Sequence, residues 1–212
     1  MRFINRDGDL DGRVHTRTYA QEVVIALSAF DSILNGEKAV YHSSELTTGK
    51  RLHALLREHG VRERRELKAK MGEEAFRRQV WDPNVAEANA FARELHHRLG
   101  GEIVITPAPF VSPGWTQAEF LAFWETVIRT RCMSVDFSED WEYSSGCAFE
   151  FAVALDAGLP TFYADGRDLS LEEGRSRIAA AVGELEAQDL DVAPLRDVLV
   201  RLVPRGGVGL TR

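Results

Sequence analysis

Between Asp140 and Pro160 the chain reads DWEYSSGCAFEFAVALDAGLP, and two of its features could do chemistry. The first is Ser144-Ser145-Gly146, three small residues placed where a helix begins. With little side-chain bulk around them, their backbone N–H groups are open to an anion, and the helix dipole favours negative charge at that end. The second is Glu150, about one turn further in, among Cys147, Ala148, Phe149, Phe151, Ala152 and Val153. A carboxylate with such neighbours is costly to bury unless it has a partner or a reaction to perform. Two readings stand: a partly exposed glutamate that helps cap the helix, or a buried carboxylate that does chemistry.

Other constellations carry less. Asp7-Gly8-Asp9-Leu10-Asp11-Gly12 fits the first half of a calcium loop, but the twelfth position, where such a loop needs Glu, is Thr18. Gly49-Lys50 does not make a P-loop, because Ser44 stands where the first Gly belongs and Arg51 follows the lysine. The basic residues Arg62, Arg64, Arg65, Lys68, Lys70, Arg77 and Arg78 are interleaved with Glu63, Glu66, Glu73 and Glu74, the pattern of a solvated helix face. His96-His97 reads as helix surface. Trp115 could stack on a base or serve as a core aromatic. Cys132 and Cys147 have no CxxC partner and no histidine at zinc spacing, so they read as buried fillers and no metal site is expected.

Elements to position these residues are marked by periodicity and punctuation. Thr18 and Gln21 could form a capping box for a helix through Leu34, stopped by Asn35-Gly36. Residues 38–43 (KAVYHS) read as a buried strand. Helices follow over 50–59 and 62–79, and Asp82-Pro83 looks like an N-cap with proline at N1 for a helix through Leu99. Residues 102–106 (EIVIT) form the second strand. Thr116 with Glu119 caps the next helix, and 132–137 (CMSVDF) reads as the third strand. A helix over 147–157, a strand over 161–164, a helix capped by Ser170 and Glu173, and a last helix over 190–202 complete the pattern.

Strands alternating with helices predict an α/β fold: a Rossmann-like parallel sheet of four to five strands with helices on both faces. The organisation reads as one domain, with an N-terminal helical extension (1–37), an α/β core (38–165), C-terminal helices (166–203) and a flexible tail (204–212). In such sheets ligands sit outside the carboxyl ends of the strands. That selects the loops 44–50, 107–115 and 138–146.

Composition bounds the rest. A chain of 212 residues, 44% hydrophobic and 28% charged, can bury one substantial core. Its formal charge of −7 does not point to a nucleic-acid partner. No apolar run reaches the roughly 20 residues that span a bilayer, so no membrane partner is expected. The opening residues MRFINRDGDLDGR lack a signal-peptide core, and the expected compartment is the cytoplasm.

The segment from Trp141 to Pro160 resembles the signature of the nucleoside 2-deoxyribosyltransferase superfamily, nearest its nucleoside 5′-monophosphate N-glycosidase branch. The pattern there is a Ser or Asp, then Gly, then a nucleophilic Glu, then a small-residue helix ending in Gly-x-Pro. The resemblance implies that Glu150 is the nucleophile and that Ser144, Ser145 and Gly146 bind substrate. Transferases of free nucleosides tend to carry Asp where Ser144 stands; Ser can instead donate a hydrogen bond to a phosphate. Tyr41 to Arg51 (YHSSELTTGKR) is similar to the family's first strand and phosphate loop, implying roles for Tyr41, Ser44, Gly49 and Lys50. Glu125 falls where the family's second catalytic acid, usually Asp, is expected, and Met133 replaces the Asp of a Cys-Asp pair.

Retaining cleavage of an N-glycosidic bond needs a carboxylate nucleophile and an acid for the leaving base. The expectation is therefore hydrolysis of a nucleoside 5′-monophosphate through a glycosyl–Glu150 intermediate, with Glu125 as acid and later base. No metal or organic cofactor is implied, and the resemblance implies a homodimer. The alternatives are a deoxyribosyltransferase, or a nucleotide-binding protein that kept the fold without the chemistry.

Overall fold

The computed structural model describes residues 18–203. The calcium-loop expectation at Asp7 to Gly12 and the tail expectation over 204–212 lie outside the described residues. The chain divides into two compact units between Asn35 and Gly36. The first holds helix α1 (Tyr19–Leu34), where Thr18 and Gln21 form the expected capping box and Asn35, at φ 49°, ends the helix in the left-handed region.

The second unit is α/β. Strands β1 (Ala39–Ser43), β2 (Val104–Ile105), β3 (Cys132–Phe137) and β4 (Thr161–Tyr163) make an all-parallel sheet in the order β2-β1-β3-β4. Val40 pairs with Val104 on one side and Ser134 on the other, so β1 is central, and all five of its residues are buried. Parallel strands covered on both faces read as continuous apolar runs, which is why residues 38–43 were legible.

The chain leaves β1 toward β2 and later returns past it to β3, so the direction of winding reverses at the β1–β3 pair. Right-handed crossovers place the helices of the two directions on opposite faces. The β1-to-β2 connection holds α2 (Lys50–His59), α3 (Arg64–Met71), α4 (Glu73–Phe76) and α5 (Asp82–Arg98). Helices α6 (Gln117–Arg131) and α7 (Ser145–Asp156) flank β3 in sequence and pack on each other; α8 (Leu171–Glu186) and α9 (Ala193–Arg201) follow β4.

Two helical expectations change. The single helix expected over 62–79 is broken at Gly72, which adopts φ 87°. The expected N-cap at Asp82 is instead continuous helix: a π-helical turn, Arg77–Trp81, runs straight into α5. Pro83 explains it. It lacks the N–H that an α-helix would direct at the carbonyl four residues back, and its ring crowds that carbonyl, so the backbone widens by one residue.

Helix α7 is buried nearly all round because it lies between the sheet and its neighbouring helices. On α8, Gly174 faces its Phe151, and a Cβ there would stand 2.1 Å from Phe151 Cζ. Gly-to-Ala ordinarily stabilises a helix by about 1 kcal/mol. Here the ring cannot retreat easily, since Phe137 and Trp141 hold it at centroid distances of 5.7 and 4.9 Å. Gly174→Ala is therefore expected to destabilise by about 1–3 kcal/mol in denaturant titration. An increase in stability would show that the aromatic cluster yields.

Candidate active site

The strand alternation of β1 places Tyr41 and Ser43 on the same face, and Glu150 of α7 meets both. The Tyr41 hydroxyl donates to Glu150 Oε1 at 2.7 Å, and the Ser43 hydroxyl donates to Oε2 at 2.5 Å. Glu150 is 5% exposed, so the buried reading of this carboxylate holds and the exposed helix-capping reading does not. Burial pushes its pKa up to about 7, against the two hydroxyl hydrogen bonds that pull it down. Burial also raises the Tyr41 phenol well above its ordinary value, with the Glu150 charge adding to the effect, so the phenol remains a donor.

Glu150 lies at the wall of a cavity of about 310 Å³ outside the carboxyl ends of β1 and β3, the point where the winding reverses. Ser44, Thr48, Ser144, Gly146 and Cys147 contribute its polar rim, and Trp81, Phe110, Phe120 and Trp124 its aromatic walls. Ser144 is the N-cap of α7: its Oγ accepts from the Cys147 N–H at 3.3 Å and pairs with Thr48 Oγ1 at 2.8 Å. The helix thus starts at Ser145, two residues before the expected boundary, and its first N–H groups face the rim. Ser44 is buried, and its hydroxyl has no hydrogen-bond partner among the described residues.

Other expected residues take different places. Gly49 is the N-cap of α2 at φ 105°, a conformation that favours glycine, and the Glu45 carboxyl folds back over it. That folded-back Glu45 carboxyl, overlooked in the sequence, is pushed up to about 8, chiefly by burial. Lys50 is turned away from the cavity, paired with Asp140 at 2.8 Å and lying over the Tyr143 ring. Trp115 packs against Phe110, Phe120 and Phe123 at centroid distances of 5.6, 5.2 and 5.2 Å, behind the wall rather than in it. Ser145 lines an adjoining outer cleft, and Gly146 borders both spaces.

Glu125 requires correction. The cavity face of α6 is Gln117, Phe120, Leu121 and Trp124, and Glu125 lies about 100° round the helix from Trp124. Its carboxylate accepts from Arg129 Nε at 2.9 Å and lies 3.7 Å from Arg201 Nη2, which also holds Asp156 at 2.7 Å. Asp156 is the last residue of α7, more than a turn beyond Glu150. Glu125 thus belongs to an ion-pair network and does not line the Glu150 cavity. Met133 is 39% exposed at the start of β3, the end of the strand away from the cavity, so this departure from the family pattern does not touch the site.

Ser43, Thr48 and Trp81 are not singled out by the sequence. Arg64 leaves the expected solvated face: it is half-buried, and its Nη1 donates to Thr47 Oγ1 at 2.8 Å. Among the described residues no cluster of three or more His, Cys, Asp or Glu side chains is arranged to hold a metal ion, and no helix is long and apolar enough to cross a membrane. Comparison of the chain with family models, curated proteins and solved structures finds no match.

Proposed function

We propose that the protein hydrolyses the N-glycosidic bond of a nucleoside 5′-monophosphate, with Glu150 as nucleophile. The observation that carries this is a buried carboxylate, held by two hydroxyl donors, at the wall of an aromatic cavity outside the switch point of a parallel sheet. The Tyr41 and Ser43 hydrogen bonds fix the carboxylate's orientation, so one oxygen can approach the anomeric carbon without first being ordered. The base lies among the aromatic side chains, which exclude water from the bond being broken. The sugar 5′-phosphate points to the first turn of α7, where backbone N–H groups and one hydroxyl of the Ser144–Thr48 pair supply donors. Glu150 forms a bond to the anomeric carbon as the bond to the base breaks. The base leaves with that electron pair and takes its proton from solvent, and water then attacks the same carbon as the Glu150 ester bond breaks. The family resemblance further supports a homodimer, and the two free cysteines, Cys132 and Cys147, suit the cytoplasm.

The test is incubation with nucleoside 5′-monophosphates and the matching nucleosides, scored for free base. The monophosphates should be processed at least about tenfold better, a difference of about 1.4 kcal/mol. Equal processing of the two, or transfer to an added second base, would favour a deoxyribosyltransferase.

A further inference from the structure

Beyond the cavity wall formed by Thr48, Gln117, Leu121 and Gly146 lies a second space, a cleft of about 660 Å³ bordered by the same four residues. One phosphate does not account for it. We infer that the site takes a nucleotide whose base is a cationic aromatic ring of the pyridinium type, joined through a pyrophosphate to a second nucleoside. This rests on the reading of Glu150 as nucleophile and narrows its substrate.

The lining of the inner cavity is aromatic and carries one carboxylate, surroundings that favour a flat cation. The Phe110 ring stands at 78° to Trp124, 5.3 Å away, and at 87° to Phe120, 6.4 Å away. Trp81, carried in by the π-helical turn, adds a further aromatic wall. Aromatic faces attract cations, each by about 0.5–2 kcal/mol, and Glu150 supplies a carboxylate at the wall. Among the described residues, the lining contains no lysine or arginine to oppose a positive ring.

The chemistry agrees with the electrostatics. A neutral purine or pyrimidine leaves well only when an acid protonates it. The titratable side chains of the described lining are Glu150, which is to attack, and Cys147, whose thiol burial pushes far above its ordinary value. A pyridinium needs no acid. Glu150 forms a bond to the anomeric carbon as the bond from that carbon to the ring nitrogen breaks. The electron pair of the broken bond returns to the nitrogen, and the ring departs as a neutral pyridine. Water then adds to the anomeric carbon, the Glu150 ester bond breaks, and the water's proton passes to solvent.

The outer cleft matches the remainder of the molecule. Its border combines the first turn of α7, at Ser145 and Gly146, with Arg64. Among the described residues Arg64 and its neighbour Arg65 form no ion pair, whereas Arg62 is paired with Asp189 and Arg201 with Asp156. Of the carboxylates on the rim, Glu63 caps α3 and Asp191 accepts from the Ala193 N–H, leaving Asp197. Donors at the α7 N-terminus and an arginine on the border of the same cleft suit a pyrophosphate. Past these the floor is apolar, formed by Leu52, Leu56, Phe149, Leu195 and Val198, and a second base can pack on it.

The decisive experiment measures ring or base release from nicotinamide adenine dinucleotide, nicotinamide mononucleotide, and adenosine, cytidine and deoxyguanosine 5′-monophosphates. Nicotinamide release from the dinucleotide should exceed base release from every neutral-base monophosphate by at least about 100-fold in kcat/KM. Arg64→Gln should raise KM for the dinucleotide at least about tenfold more than KM for the mononucleotide, with the larger change in KM and not in kcat. Cleavage of neutral-base monophosphates without cleavage of either pyridinium would overturn the inference and leave the Glu150 reading standing. Cleavage of neither class would overturn both. An Arg64→Gln variant that weakens both pyridinium substrates equally would remove the second nucleoside from the proposal.

Discussion

Glu150→Gln should abolish base release, by at least about 1,000-fold or roughly 4 kcal/mol of barrier, while the protein stays folded. The substitution keeps the size of the side chain and an acceptor for the Tyr41 hydroxyl, and the amide can donate to Ser43 Oγ. What it removes is the oxygen able to bond to the anomeric carbon. Glu125→Gln provides the contrast. Its side chain belongs to the Arg129–Arg201–Asp156 network, so turnover should remain within about threefold and stability should fall by less than about 1 kcal/mol. Both variants are to be measured by base release under multiple turnover. A Glu150→Gln protein retaining more than about a tenth of wild-type turnover would rule out the covalent path. A comparable collapse with Glu125→Gln would return that residue to the machinery.

The helix start at Ser144 and the burial of Glu150 were legible because three small residues before an apolar helix leave few alternatives for the backbone, and one carboxylate in that helix stands out. The sheet was equally legible, since β1 and β3 are short stretches rich in β-branched and aromatic residues and punctuated by turn residues, although Asp136 interrupts the second. What failed did so for reasons of rotation and register. Glu125 and Trp124 are adjacent in sequence, yet one turns to a salt-bridge network and the other to the cavity. A family pattern aligned without regard to helical phase cannot separate them. Trp81 reaches the wall from a π-helical turn, and Pro83 was read as a helix start rather than as the cause of that turn. Ser43 was available from β1, because period-two alternation pairs it with Tyr41, but a small hydroxyl in a buried strand looks like core. Arg64 was hidden by its neighbours: an alternating charge pattern describes a whole helix face, and only tertiary packing shows which of its cations turns inward.

The buried Glu150 carboxylate should also leave a signature in stability. Glu150 in the folded protein holds its proton up to about pH 7, compared with 4.5 in an exposed chain. A group whose folded pKa is raised contributes stability that is fully present below its unfolded pKa and is lost as pH rises through the folded one. Above pH 7 the wild-type protein therefore carries an ionised carboxylate in a site that disfavours charge, and Glu150→Gln does not. At about 1.4 kcal/mol per tenfold change in proton affinity, the variant should be more stable by on the order of 3 kcal/mol at pH 8. The advantage should shrink through the window from 7 to 4.5 and be small at its lower end. The wild-type profile alone would conceal this, because His42 acts in the opposite sense. Burial lowers its pKa to about 4, so its contribution is present above 6.5 and lost as pH falls toward 4. Subtracting the two proteins' curves cancels His42, along with Asp136 and Glu45, and isolates Glu150 with the groups around it: Tyr41, Ser43, Cys132 and Cys147. Urea titrations of both proteins at several pH values give the difference directly. A difference that does not change with pH, or one favouring the wild type above pH 7, would mean that Glu150 is not held in a charge-disfavouring site. The same subtraction applied to kinetics gives the companion test: kcat/KM of the wild type should rise through about pH 7 as the nucleophile ionises.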